Sequence, residues 1–173
     1  MKLTVAIVLV ASLFAVRAHA AEPVVTEAVI DAPVGVVWES FTTKGGMESW
    51  MAASADIQLT VGGRWRTSHQ KGADLDGDTA IHQEILSLDP QRMFSFRTVK
   101  SPKNFPFAGT IGDTWTVIYF EALTGGRTKV TVRMLGYTDT PDAQKMRAFF
   151  EFGNKATLDA LMKRFASAGG ATR

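Results

Sequence analysis

The sequence of 173 residues contains no cysteine, and this absence excludes several kinds of chemistry. Without cysteine the chain can form no disulfide, no thiolate nucleophile and no thiolate metal ligand. Histidine is also scarce, since His69 and His82 are the only histidines after residue 20. A zinc site, which usually combines several Cys and His ligands, is therefore not expected. The stability of the fold has to come from a hydrophobic core, for which a chain of this length is sufficient.

Long apolar runs are absent except at the N-terminus. Lys2 is followed by an apolar stretch over residues 3–16 and by the small-residue pattern Ala-His-Ala at residues 18–20. This pattern is typical of a signal peptide, and we predict cleavage after Ala20 and a periplasmic or secreted mature protein. The alternative is an uncleaved N-terminal anchor, although the apolar stretch is short for a membrane span.

An excess of charge of one sign is missing from the predicted mature chain. Residues 1–20 contain Lys2 and Arg17 but no acidic residue, so their removal brings the 19 basic residues down to the number of the 17 acidic ones. A balanced, interspersed charge set gives no basis for binding nucleic acid or an anionic membrane surface. No stable membrane insertion is expected after signal cleavage.

Motifs of common cofactor and metal sites are missing as well. The chain has no P-loop, no GxGxxG sequence and no nucleophile elbow, and we therefore expect no cofactor. Asp74, Asp76 and Asp78 lie in one loop and raise the possibility of calcium. An EF-hand loop has glycine at its sixth position, whereas Gly77 is at the fourth, so a polar hairpin loop without metal is the favoured interpretation.

The longest predicted element is a C-terminal helix over residues 141–168. Thr140 is a suitable N-cap, Pro141 suits the first helical position, and Gly169 and Gly170 end the helix. The apolar face carries Met146, Phe149, Phe150, Gly153, Thr157, Ala160 and Leu161. Since Gly153 and Thr157 give the middle of this face little bulk, either another backbone comes very close there or the helix covers a cavity.

Most of the remaining chain has strand patterns. A strand over residues 24–30 is followed by Asp31 as a possible cap, by a short helix from Pro33 to Phe41 or Thr42, and by a second helical piece ending near Trp50. Further strands are predicted over residues 56–61, 64–68, 79–88, 92–99, 113–122 and 128–135. Because an antiparallel sheet has to cover one face, we predict an α+β domain whose curved sheet wraps around the C-terminal helix.

The order of these elements resembles the helix-grip fold of the SRPBCC (START/Bet v 1-like) superfamily, and local motifs resemble its branch named after the activator of Hsp90 ATPase. The resemblance covers residues 21–173, so that we divide the chain into a signal peptide, residues 1–20, and one helix-grip domain with about seven strands. The matching motifs are Ala32-Pro33, Val37-Trp38, Thr42-Thr43, Gly45-Gly46, Trp50, Gly62-Gly63-Arg64-Trp65, Glu84-Ile85 before Asp89-Pro90, and Trp115-Thr116-Val117.

The resemblance implies a hydrophobic cavity, because members of this superfamily bind hydrophobic ligands, cyclise polyketides or carry lipids. The activity that names the branch requires cytosolic Hsp90, which an exported protein would not meet, so we do not extend it to this chain. The residues predicted to contact a ligand are Trp50, Trp65, Gln83, Phe94, Phe96, Trp115, Val117, Phe149, Gly153 and Thr157.

Strand alternation does not show which face of each strand is inward, and one polar stretch makes this choice important. His82 and Glu84 share one face of a predicted strand, and they form an acid–base pair if that face is inward. The favoured alternative places Gln83 inward, together with Ile81 and Ile85, since polar residues usually face outward.

Three functional hypotheses remain after these exclusions. The first is a protein that binds a small hydrophobic molecule between the sheet and the C-terminal helix. The second is an enzyme of cyclase or isomerase type that uses the same cavity, with His82, Glu84, Arg66 or Tyr119 as acid–base groups. The third is a protein-interaction module without a true pocket. The sequence names neither the ligand nor the oligomeric state.

Overall fold

The computed structural model describes residues 21–169, so the predicted signal peptide and the predicted helix terminator Gly170 lie outside the described residues. Side chains are described as far as residue 166. The elements are β1 (Val24–Ile30), α1 (Val34–Thr42), α2 (Lys44–Glu48), β2 (Ser54–Ile57), β3 (Arg64–Ser68), β4 (Ile81–Asp89), β5 (Met93–Lys100), a 3-10 turn (Ile111–Asp113), β6 (Trp115–Leu123), β7 (Arg127–Leu135) and α3 (Pro141–Gly169).

The strands form one antiparallel, seven-stranded sheet in the order β1-β7-β6-β5-β4-β3-β2. Strands β2 to β7 are neighbours in chain order, and β1 closes the sheet by pairing with β7. The sheet curls around one face of α3, and the predicted α+β helix-grip architecture is confirmed.

Two local predictions are wrong. The second strand is Ser54–Ile57 instead of residues 56–61. The chain turns earlier than predicted, since Gly63 N–H donates to the Thr60 carbonyl at 2.8 Å and Gly62 has a φ of 78°. Asp31 does not cap α1 either, because Pro33 is the N-cap and no side chain caps this helix.

The main core lies between the sheet and the two short helices. Trp38 packs edge-on against Phe94 and Phe120, with ring centroids 5.8 and 5.2 Å away. Trp65 packs against Phe94 from the other side, at 5.6 Å. Its indole N–H points to the Met47 sulfur at 2.8 Å, which ties α2 to the sheet. These aromatic residues belong to one continuous hydrophobic core.

Helix α3 is anchored near both ends by separate hydrophobic clusters. At its start, Thr140 caps the helix by accepting from Ala143 N–H at 3.4 Å, as predicted. One turn further, Met146 is fully buried in a cluster with Val24 and Met134. Near the other end, the main core contains Leu158, Leu161 and Phe165. Residues 149–157 therefore bridge the two clusters. No helix within residues 21–169 is long and apolar enough to cross a membrane.

Candidate functional site

A cavity lies between the inner face of the sheet and the middle of α3. It consists of two adjoining compartments, of about 220 and 400 Å³, that share lining residues from β4, β5 and α3. Its walls are mostly apolar and include Trp65, Phe96, Ile118, Val132, Phe150 and Leu158. The arrangement is a concave apolar site with few polar groups, which is the usual form of a small-molecule pocket.

Open space lies next to Gly153 in the middle of α3. A Cβ atom built on Gly153 would have no heavy atom within 4 Å apart from its own neighbours in the helix. Of the two alternatives left by the sequence, the structure therefore has the cavity and not a closely approaching backbone. Thr157 extends the lining by one turn, and its hydroxyl donates to the Gly153 carbonyl at 2.9 Å.

The facing of β4 agrees with the favoured alternative. Ile81 and Gln83 line the cavity. Glu84 instead accepts two hydrogen bonds from Arg97, at 3.0 and 2.8 Å. His82 Nε2 lies 2.6 Å from the Leu75 carbonyl oxygen. The acid–base pair considered for this strand is thus directed away from the cavity.

The facing of β6 corrects two predicted ligand contacts. Thr116 and Ile118 line the cavity. Because side chains alternate along a strand, Trp115 and Val117 lie on the opposite face of the sheet. Trp115 is exposed there, and Val117 pairs across the strands with buried Ser95. Both faces of this strand carry apolar residues, so alternation alone does not indicate which face of β6 points into the cavity.

The other predicted contact residues divide between cavity wall and solid core. The cavity is lined by Trp65, Gln83, Phe96, Phe149, Gly153 and Thr157. Phe94 is completely buried and has packing rings on several sides. Trp50 packs on Phe41 and donates its indole N–H to the Ser40 carbonyl at 3.0 Å. Phe94 and Trp50 therefore belong to the core, a distinction that aromatic composition alone does not make.

Sequence reasoning missed several polar groups of the cavity, of which Asn154 is the most informative. Its Nδ2 atom is buried without a hydrogen-bond partner among the described residues. Asn154 lines both compartments. The signal that could have found it is helical spacing, since Asn154 lies four residues after Phe150 and three before Thr157 on the same face. Other missed polar lining residues are Thr67, His69, Thr98 and Thr116.

The remaining acid–base candidates of the sequence lie outside the cavity. Arg66 binds Asp56 at 2.5 Å and Asp76 at 3.0 Å, and the hydrogen bond to Asp56 raises the pKa of the guanidinium. Tyr119 is exposed on the outer face of β6. Among the described lining residues, His69 is the only titratable side chain.

The three carboxylates of the loop that contains Asp74, Asp76 and Asp78 each have a different partner. Asp74 accepts from the backbone N–H of Asp76 at 2.9 Å. Asp76 pairs with Arg66, and Asp78 lies 3.4 Å from Lys103. Within residues 21–169, no group of three or more His, Asp or Glu side chains is placed to hold a metal ion.

Phenylalanine side chains border the larger compartment where residues 101–110 approach α3. Phe105 lies 5.9 Å from Phe149 between ring centroids, and Phe107 lies 5.6 Å from it. Phe149 is 48% exposed, and Phe105 lines the compartment. These rings form one border of the larger compartment.

The antiparallel sheet around a long C-terminal helix, with two short helices after the first strand, defines a helix-grip protein of the SRPBCC superfamily. The family model described as Activator of Hsp90 ATPase homolog 1-like protein matches residues 31–166. The chain belongs to this family, and the resemblance inferred from the sequence is confirmed.

Solved structures of similar fold agree with this assignment. Protein MLL2253 from Mesorhizobium loti is 20% identical, with a TM-score of 0.65 over 84% of this chain and 97% of that chain. The Aha1 dimer from Colwellia psychrerythraea is 16% identical, with a TM-score of 0.61 over 83% and 95%. DynU16, a putative protein in the dynemicin biosynthetic locus, is 16% identical, with a TM-score of 0.63 over 85% and 48%. Comparison with curated proteins found no significant match.

Proposed function

We propose that this protein binds a small, mostly hydrophobic molecule in the cavity between the sheet and α3. The observation that carries the proposal is the open space beneath Gly153, in a helix face that is otherwise anchored near both ends. Compartments of about 220 and 400 Å³ approach the size of small-molecule sites, which is roughly 300–1,000 Å³. The interaction-module hypothesis calls for a filled interior, which the space beneath Gly153 argues against.

The test is the binding of the neutral fluorescent probe N-phenyl-1-naphthylamine to the parent and to Thr157→Leu. The larger side chain at this lining position reduces the space for a ligand, so we expect the Kd of the probe to rise. Ala156→Leu is the matched control, because Ala156 is the preceding residue of α3, is exposed and does not line the cavity. No binding by the parent, or equal binding by both variants, contradicts the proposal.

A second candidate, supported by the position of His69, is an enzyme of cyclase or isomerase type. Such reactions begin with removal of a proton next to a carbonyl, for which histidine is a common general base. His69 lies at the cavity and makes no hydrogen bond to the described residues. The fold also occurs in DynU16, from a biosynthetic locus.

The enzyme candidate is tested by hydrogen–deuterium exchange on a bound methyl ketone in heavy water. If His69 removes the methyl proton and a deuteron from solvent replaces it, the protein accelerates exchange and His69→Gln loses the acceleration while still binding the probe. Exchange at the buffer rate leaves binding as the function.

We also propose that the protein acts after export, in the periplasm or outside the cell. The proposal rests on the charged, apolar and small-residue segments of residues 1–20. Intact mass of the protein from the exported fraction is expected to correspond to a chain that begins at Ala21. A mass that includes residues 1–20, found in the membrane fraction, contradicts it.

A further inference from the structure

Among the described residues that line the cavity, Asn154 alone has a buried side-chain donor without a hydrogen-bond partner. Its Nδ2 atom is buried, and no residue described by the structure accepts a hydrogen bond from it. Buried donors are nearly always paired, and an unpaired one calls for a specific explanation. Because Asn154 lines both compartments, a rotation of its side chain presents this donor to a ligand in either one.

Two further polar side chains line the same compartments from the sheet. Gln83 and Thr98 are direct partners across β4 and β5, so their side chains lie next to each other on the inner face. Neither side chain makes a hydrogen bond to the described residues, and both line the compartments that Asn154 lines. Amide and hydroxyl groups can both donate to an acceptor oxygen.

The cavity offers no fixed charge to an ionic ligand. Among its described lining residues there is no Asp, Glu, Lys or Arg. A carboxylate or an ammonium group would lose its hydration there without gaining an opposite charge. A carbonyl oxygen loses much less on leaving water and can accept from neutral donors.

We propose that the ligand is an uncharged, mostly apolar molecule with a carbonyl group, and that Asn154 Nδ2–H donates to the carbonyl oxygen. Gln83 and Thr98 are the further donors for the same polar end of the ligand, while the aromatic and aliphatic walls hold the apolar part. This inference rests on the proposed function, since it names the chemical class of the molecule that the cavity binds.

The test compares four naphthalenes with one ring system and different substituents: 2-acetonaphthone, 2-ethylnaphthalene, 2-naphthoate and 2-(2-naphthyl)ethylammonium. The measured quantity is the ratio of the Kd of 2-ethylnaphthalene to that of 2-acetonaphthone, which isolates the contribution of the carbonyl. In Asn154→Leu we expect this ratio to decrease by a factor of about three to ten, which corresponds to the loss of one hydrogen bond. The parent is expected to bind the two ions less tightly than the ketone.

Thr157→Val is the matched control, because it removes a hydroxyl of the same cavity that already donates to the Gly153 carbonyl. We expect it to leave the ratio unchanged. If Asn154→Leu does not fold, NMR of the parent still tests the inference. 2-Acetonaphthone should move a side-chain amide proton of Asn154 further downfield than 2-ethylnaphthalene does, because only the ketone accepts a hydrogen bond.

The outcomes separate this inference from the proposed function. If none of the four molecules binds, both fail. If 2-ethylnaphthalene binds but the ratio is the same in Asn154→Leu, or the Asn154 amide does not respond to the ketone, only the inference fails. Tighter binding of 2-naphthoate or of the ammonium than of the ketone also overturns it.

Discussion

Gly45 and Gly46 are neighbours in α2, but the structure makes very different demands on them. A Cβ atom on Gly46 would lie 2.0 Å from the carbonyl oxygen of Glu39, which belongs to the backbone of α1 and cannot turn aside. The same atom on Gly45 would have nothing within 4 Å. Glycine is therefore required at position 46 for the close approach of the two short helices, whereas position 45 can carry another residue.

This difference gives a prediction for a pair of single substitutions. Gly46→Ala should lower the free energy of unfolding by about 2 kcal/mol or more, because a backbone has to move to relieve the overlap. Gly45→Ala should be neutral or stabilising by up to about 1 kcal/mol, because alanine is the better helix former. Urea unfolding of both variants measures the difference. Equal effects at the two positions would show that the helices do not approach as described.

At the scale of elements, the sequence predicted the fold well because each element carries its own periodicity. The C-terminal helix was recognised from its cap at Thr140 and its apolar spacing, and the strands from alternation and turns. The cavity wall was harder, since packing partners decide it. On β4, polar His82 and Glu84 favour the outer face, whereas on β6 both faces are apolar and alternation alone does not show that Trp115 lies on the outer face. Asn154 was missed because its significance depends on what surrounds it.

Helix α3 provides a prediction of its own, since Gly153 lies in the interior of a helix and over empty space. Gly153→Ala should raise the free energy of unfolding by about 1 kcal/mol, because it improves helix propensity without meeting any atom. Ala156→Gly, at an exposed position one turn later, is the mirror-image control and should lower it by a similar amount. If Gly153→Ala destabilises the protein, another part of the chain packs against this position and the cavity is smaller than described.

At the scale of the whole molecule, two hydrophobic clusters hold α3 near its two ends. Met146 is buried near one end of the helix, and Leu158, Leu161 and Phe165 are buried near the other. Between them, the helix turns Gly153, Asn154 and Thr157 toward the cavity. A helix held in this way can keep its position while the space beneath its middle is empty, filled by a ligand or filled by a larger side chain.

The melting temperature of the whole domain should therefore respond to Thr157→Leu in two opposite ways. Without ligand, the variant should melt at or slightly above the temperature of the parent, since Thr157 is exposed at the border of the cavity and leucine adds apolar contact with the cavity wall without overpacking. With N-phenyl-1-naphthylamine at about 100 times its Kd, the parent should gain about 2.7 kcal/mol, or roughly 5–10 °C for a domain of this size. The variant should gain clearly less at the same probe concentration, because the probe competes with the new side chain for the same volume.

Differential scanning calorimetry of both proteins, with Ala156→Leu as control, measures the two effects together. A variant that loses stability and keeps the full ligand-induced shift would mean that α3 packs tightly at Thr157 and that the probe binds elsewhere.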